Sequence, residues 1–348
     1  MFGLKLLYYN DTIPMREASF YKKVKNNDVR CVLCPHNCQI KPDKRGLCGV
    51  RENRDGKLYS LVYGKIIAEH VDPIEKKPIF HILPGSSSYS IGTVGCNLSC
   101  RNCQNWEISQ GYKTSEISGR DTTPEEIVRN ALKMGCKSIA YTYTEPTIFY
   151  EFAYDCSVIA HSKGINNIFV TNGYTNSEPL EKIATFLDAC NVDLKSFREE
   201  TYKKICGGKL EPVKNSIKLM KKLGIWIEVT TLVIPTVNDS SEELADIANF
   251  IKELGEETPW HISAFYPNYL MTDTPPTPVS TLTKAREIGI DKGLKYVYTG
   301  NIPGDEGENT YCYNCKHLLI ERYGFSVIKN NIKNNKCPSC NAKIDGIF

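Results

Sequence analysis

The chain has 348 residues, 41% of them hydrophobic and 24% charged, with a formal net charge of +3 at pH 7. These are the proportions of an ordinary soluble globular protein, and the charge is too small to imply a nucleic-acid partner by itself, although a local basic patch is left open. The Met1–Asn10 opening is too short and broken for a signal peptide and no run of 18 apolar residues occurs, so no membrane association and a cytoplasmic location are expected.

Fifteen cysteines without an export signal argue against a secreted disulfide scaffold. Eleven fall in three groups with metal-ligand spacing, while Cys136, Cys156, Cys190 and Cys206 are dispersed. The first group, in an N-terminal module of residues 1–85, is Cys31, Cys34, Cys38 and Cys48, with proline and glycine at the turns. Four thiols this close can close a tetrahedral site, so structural zinc is the preferred reading and an auxiliary iron–sulfur cluster the alternative. His36 is read as a neighbour of that site rather than a ligand. A β-like run over Lys57–Ile67 leads into a connector, Asp72–His81, whose Lys76 and Lys77 are expected on a solvated face.

Residues 86–300 alternate strands and helices. Strand-like runs lie at Ser88–Val94, Ser138–Tyr143, Asn167–Thr171, Cys190–Leu194, Trp226–Ile234 and Trp260–Phe265. Thr123-Pro124-Glu125-Glu126 and Ser240-Ser241-Glu242-Glu243 open helices with capping residues, and Gly135, Gly164, Gly224 and Gly255 are expected as left-handed C-caps. The repeated order predicts an α/β fold with a parallel sheet, a partial TIM-like (β/α)6 barrel flanked by the small Cys-rich module and a C-terminal zinc-ribbon-like module.

Chemistry in such barrels gathers at the C-terminal strand ends, and these are polar here. The first ends in Cys96, Cys100 and Cys103, a C-x3-C-x2-C loop that can wrap three corners of an iron–sulfur cube and leave one iron open. The second ends in Tyr143-Thr144-Glu145, the third in Thr171-Asn172-Gly173, the fourth in Asp193-Leu194-Lys195. The sixth strand contains His261, expected as a packed core histidine, and leads into a Pro-rich loop, Asn268–Ser280, a candidate lid, preceded by Tyr266.

In residues 301–348, Cys312, Cys315, Cys337 and Cys340 form two knuckles around a β-like pair, Leu318–Tyr323 and Phe325–Ile328, which reads as a zinc ribbon, with a rubredoxin-like iron site or a second cluster as the minority reading. The ribbon is expected to pack across the barrel mouth.

The cysteine loop with Gln104-Asn105-Trp106, the Cys31–Cys48 module, the connector and the polar strand ends together resemble the radical S-adenosylmethionine (SAM) enzymes of the glycyl-radical-activase branch, in particular the radical SAM component of the AmmeMemoRadiSam system. The resemblance covers nearly the whole chain. It implies that Cys96, Cys100 and Cys103 bind a [4Fe–4S] cluster whose open iron is chelated by SAM, and that Thr144, Glu145, Thr171, Asn172, Asp193 and Lys195 contact SAM. It further implies reductive cleavage of SAM to a 5′-deoxyadenosyl radical that takes hydrogen from a protein or small-molecule substrate, with a flavodoxin- or ferredoxin-like electron donor as partner. Lys195 pairing with Asp193, and Asn172 making the turn before Gly173, are the structural readings of the same residues.

This chain departs from the pattern at three positions. Asn102 replaces an aromatic residue that packs near adenine, with Trp106 or a residue of Val229–Leu232 as a substitute. Tyr143 and Thr144 replace two glycines, and Val170 replaces an acid of a cation site. The competing function is a non-catalytic zinc-rich adaptor for nucleic acid or protein.

Overall fold

The computed structural model describes residues 15–111 and 116–348; the Met1–Asn10 opening lies outside the described residues. The central sheet contains β1 (Ala68–Pro73), β2 (Ser87–Gly92), β3 (Ser138–Tyr141), β4 (Asn166–Thr171), β5 (Ala189–Asp193), β6 (Trp226–Val233), β7 (Trp260–Ala264) and β8 (Val297–Gly300), neighbours in sequence order. From β2 to β8 every pairing is parallel, whereas β1 runs antiparallel along β2. Parallel neighbours need long crossovers, and six helices supply or reinforce them: α1 (Pro124–Lys133), α2 (Tyr150–Ser162), α3 (Ser177–Ile183), α4 (Leu210–Lys222), α5 (Ser241–Leu254) and α6 (Val279–Asp291).

The six expected strands are present, and the sheet extends beyond them on both sides. β8 is only four residues long, too short for a periodic signal. β1 has an exposed His70 and a proline at its end, the chemistry of an edge strand. Residues 68–73 thus pair with the first parallel strand of the central sheet.

The capping residues act as their chemistry requires. Thr123 and Ser240 accept hydrogen bonds from the amides of Glu126 and Glu243, both at 3.2 Å. Gly135, Gly164 and Gly224 adopt left-handed conformations, but Gly255 has φ 141° and ψ 131° and is not a left-handed cap.

The lower ends of the strands are closed by the connector. The Phe80 and His81 amides donate to the buried Glu228 carboxylate at 3.0 and 2.9 Å, and Asn191 Nδ2 donates to the Pro78 carbonyl at 2.8 Å. Ile74, Ile79 and Ile82 pack with Ile168 and Ala189 beneath. His261 is the core histidine expected, its Nε2 2.6 Å from Glu228. Lys77 is buried rather than solvated, its ammonium 2.6 Å from Asp72; Lys76 pairs with the same carboxylate.

The C-terminal ribbon covers this floor from below, not the mouth. Arg322, buried, donates to the Phe80 carbonyl at 3.1 Å, and its guanidinium lies 4.1 Å from the centre of the Phe80 ring. Phe80, Tyr296 and Tyr298 share an apolar cluster with Leu319, Ile320 and Ile344. That aromatic surface at the start of β8 is what draws the ribbon down.

His81 sits among Glu228, His261, Arg322, Tyr298 and Asp345. Its pKa is pushed down to about 4 from 6.5, first by burial, against the opposing pull of Glu228. The unfolded chain therefore takes up this proton first as pH falls. We expect stability to drop between pH 6.5 and 4, with His81 contributing roughly 3 kcal/mol of the loss. Urea denaturation across that range should show a shallower decline for His81→Gln than for the unaltered chain; parallel curves would refute the assignment.

Candidate active site at the strand mouths

At the opposite end of the sheet, β2 runs into the loop bearing Cys96, Cys100 and Cys103. Gly95 begins it with φ 94°, and a Cβ there would lie 2.8 Å from the Cys48 carbonyl and 2.6 Å from Val50 Cγ1, so only glycine fits. The loop is held from several sides. The Ser99 and Arg101 amides donate to the Cys206 and Ile205 carbonyls at 2.8 and 2.9 Å, and Gln110 Nε2 donates to the Leu98 carbonyl at 3.1 Å.

The thiols face each other in a protected setting. Burial raises the Cys96 pKa, and the negative charges of Glu145, Cys100 and Cys103 raise it further; burial also raises that of Cys103. Thiols arranged so that each disfavours the ionisation of the next are a ligand set for a cation. Cys96 Sγ accepts from the Leu98 amide at 3.4 Å and from Asn172 Nδ2 at 3.7 Å, and Cys103 Sγ lies 3.1 Å from Ser109 Oγ.

The other predicted residues surround this loop in the expected order. Glu145 is buried, and its Oε1 accepts from the Thr147 amide, Thr147 Oγ1 and Thr171 Oγ1 at 3.0, 2.6 and 2.8 Å, while Oε2 accepts from the Asn172 amide at 2.8 Å. Its carboxylate is thus largely committed to bracing the ends of β3 and β4. Thr144 Oγ1 donates to the Thr93 carbonyl at 2.9 Å, tying the second strand end to the first. Asn172 does more than make its turn: Nδ2 reaches both Cys96 and, at 2.8 Å, Asn97 Oδ1. Lys195 pairs with Asp193 at 2.8 Å, the structural pairing expected of them, yet its ammonium also feels Cys100, Cys103 and Cys206. That places a cation beside the cysteine loop.

Of the three departures, Tyr143 is the most instructive. It takes φ 65°, the conformation glycine would adopt freely, and is pinned there by its hydroxyl on Asp72 at 2.7 Å and by Asn105 Nδ2 on its carbonyl at 2.6 Å. Asn102 is not replaced by Trp106, whose ring is at the surface, stacked on Tyr269 with centroids 5.1 Å apart. Asn102 Oδ1 is instead buried without a hydrogen-bond partner among the described residues, an acceptor next to Cys103. The Leu270 amide donates to the Arg101 carbonyl at 2.9 Å, so the Pro-rich loop does lie over the mouth; Tyr266 is half exposed and bonds the Asn301 carbonyl.

Cys206 was missed. It ends a π-helical turn, Tyr202–Cys206, and its buried thiol hydrogen-bonds with Cys100. Separated from the loop by about a hundred residues, it carries no spacing signal.

The two remaining cysteine groups differ in geometry. Cys312, Cys315, Cys337 and Cys340 have all four sulfurs within 4.8 Å of one another, with Cys312–Cys340 at 3.6 Å and Cys315–Cys337 at 3.7 Å. Four thiolates about 2.3 Å from one zinc stand about 3.8 Å apart, so this set fits that ion. Cys31, Cys34, Cys38 and Cys48 line one cavity beside the Cys96 loop, and His36 Nε2 bridges to the Asn97 carbonyl at 2.7 Å.

Residues 90–251 match the family described as the Radical SAM superfamily. An uncharacterized protein of Methanocaldococcus jannaschii is 52% identical over 334 residues, 95% of this chain and 99% of that one. The pyruvate formate-lyase-activating enzyme of Clostridium pasteurianum is 24% identical over 169 residues, 46% of this chain and 67% of that one. Among solved structures, a domain of pyruvate-formate lyase-activating enzyme from Bacteroides vulgatus aligns with 47% of this chain and 99% of its own, at 20% identity and a TM-score of 0.41.

Glu145→Ala leaves two backbone amides and the Thr147 and Thr171 hydroxyls without their acceptor, and we expect it to cost roughly 3–5 kcal/mol in denaturant unfolding. Glu145→Gln, which keeps an acceptor oxygen, should cost less than half of that.

Proposed function

Because the chain belongs to the radical SAM superfamily, we propose that Cys96, Cys100 and Cys103 hold its [4Fe–4S] cluster and that the mouth around them binds SAM. The observation that carries this reading is the gathering of Cys96, Cys100 and Cys103 on one loop at the open end of the sheet, with Asn172 on the Cys96 sulfur, Ser109 on the Cys103 sulfur and the Lys195–Asp193 pair beside them. When bound, the cluster and SAM supply one-electron reductive cleavage to a 5′-deoxyadenosyl radical that takes hydrogen from substrate.

The chain's own residues position and protect. Lys195 suits the SAM carboxylate as a counter-charge, with Asp193 holding the ammonium in place. The unpaired Asn102 Oδ1 suits an amine donor of the ligand. Asn172 fixes the Cys96 thiol through its amide, and Glu145, Thr171 and Thr144 lock the strand ends from which these groups project. Tyr269, stacked on Trp106, and the Leu270 amide on the Arg101 carbonyl hold the Asn268–Ser280 loop against the cysteine loop.

The likeness to a pyruvate formate-lyase-activating enzyme supports hydrogen abstraction from a protein partner, an activase-like role fed by a flavodoxin- or ferredoxin-like donor. A short-lived radical needs its substrate C–H bond at the mouth, and the exposed Trp106–Tyr269 pair is an apolar rim for such a partner. We also propose structural zinc in the ribbon, bound by Cys312, Cys315, Cys337 and Cys340. Among the described residues there is no helix long and apolar enough to cross a membrane.

Anaerobically reconstituted, reduced protein is expected to convert SAM to 5′-deoxyadenosine and methionine, and Cys100→Ala to abolish this. Absence of 5′-deoxyadenosine from the unaltered, cluster-loaded protein would refute the reading and leave a non-catalytic adaptor. Cys337→Ser is expected to release about one zinc per chain and to lower Tm by several degrees, since the ribbon is closed by that ion.

A further inference from the structure

The cavity lined by Cys31, Cys34, Cys38 and Cys48 abuts the catalytic loop, and its geometry is not that of the ribbon. Among the described residues, the ribbon cysteines are the group whose sulfurs all fall within 4.8 Å of one another. No three of the N-terminal four do, and neither does the Cys96, Cys100 and Cys103 set. One zinc gathers four thiolates to about 3.8 Å separation, whereas a cubane takes one thiolate on each of four irons and holds them farther apart. The N-terminal set therefore has the open spacing of the catalytic cysteines, although all four line a single cavity.

The cavity wall points the same way. Leu33, Ile40, Leu47 and Ile148 make it apolar, as suits a low-charge inorganic core shielded from water. Arg51 also lines it and is 1% exposed. Its terminal nitrogens are spent on Glu151 and the Ser19 carbonyl, but its Nε–H is buried with no acceptor among the described residues. A donor stranded beside four thiols calls for an anionic acceptor, and the sulfides of a cluster are one.

The route to the catalytic loop is direct. His36, between Cys34 and Cys38, hydrogen-bonds to the carbonyl of Asn97, which follows Cys96. From the other side Gly95 packs against the Cys48 carbonyl so closely that no side chain fits between them. On the outer side Leu47, next to Cys48, is 60% exposed, with exposed Lys41 and Lys44 near it in sequence beside Asp43, and Arg45 paired with Glu52 at 3.1 Å; this is where an external donor could approach.

We propose that Cys31, Cys34, Cys38 and Cys48 hold a second [4Fe–4S] cluster that relays electrons to the one at Cys96, Cys100 and Cys103. Each transfer oxidises the second cluster by one electron and reduces the catalytic one by one; an external low-potential one-electron protein donor then restores the second. The proposal rests on the cofactor reading of the Cys96 loop given above.

Iron and zinc analysis with Mössbauer and EPR spectroscopy on the full chain, loaded anaerobically with iron and sulfide, tests it. The unaltered protein should hold about eight irons and about one zinc. About four irons and two zincs would overturn the second cluster while leaving the cofactor reading intact. The double variant Cys34→Ala/Cys38→Ala should lose about four irons yet keep an EPR signal that shifts on adding SAM. The triple variant Cys96→Ala/Cys100→Ala/Cys103→Ala should keep about four irons with no SAM response, and iron-free triple variant would overturn the proposal. For the relay, the ratio of flavodoxin-driven to dithionite-driven SAM cleavage should fall about tenfold or more in the double variant, because the small reductant reaches the catalytic cluster by itself. An unchanged ratio would overturn the relay.

Discussion

A carboxylate buried in the lumen of a sheet is costly unless every lone pair is used, and Glu228 meets that condition in a way that organises both ends of the molecule. It accepts from the amides of Phe80 and His81 and from Trp226 Nε1, and it faces His261 Nε2 at 2.6 Å. Trp226 and His261 come from the sheet itself, but the two backbone amides are available only once the connector has entered the barrel. Neutralising the glutamate and closing the floor are therefore the same event. With the lower half of the lumen filled, the open half lies toward the C-terminal strand ends, where the cysteine loop is.

The mouth repeats that logic with a different outcome. Glu145 is as buried as Glu228 and is satisfied by Thr147, Thr171 and Asn172, so the ends of β3 and β4 are rigidly joined. The cysteines beside it are held differently: Cys96 accepts from Leu98 and Asn172, Cys103 lies against Ser109, and the Lys195 ammonium stands near, itself shared with Asp193. The same sheet thus carries one end closed by its own donors and one end where thiols gather.

Much of this could be read from the residues because the relevant signals are local. The Cys96, Cys100 and Cys103 spacing, the six strands and the caps at Thr123 and Ser240 each depend on neighbours a few positions away. What escaped depends on distant ones. Cys206 reaches Cys100 only through the fold, and Lys77, flanked by Lys76 and Pro78, reads as solvated until Asp72 and Tyr143 are placed around it. Tyr143 in a left-handed conformation could be anticipated from the missing glycine, but what pins it, Asp72 and Asn105, could not. The ribbon was expected at the mouth because its sequence follows the last loop there; the aromatic surface of Phe80, Tyr296 and Tyr298, contributed by two separate segments, decided otherwise.

The position of the ribbon ties together parts of the chain that are far apart in sequence. Arg322 and Asp345, which bind the Phe80 carbonyl and His81 from below, lie 242 and 264 residues from the connector positions they hold. Contacts of that separation carry a loop-closure cost that local ones do not. Until the ribbon docks, the connector backbone lacks these partners and the underside of the sheet stays wet. A loss of order in the ribbon is therefore felt at the floor of the barrel, well away from the knuckles where it begins.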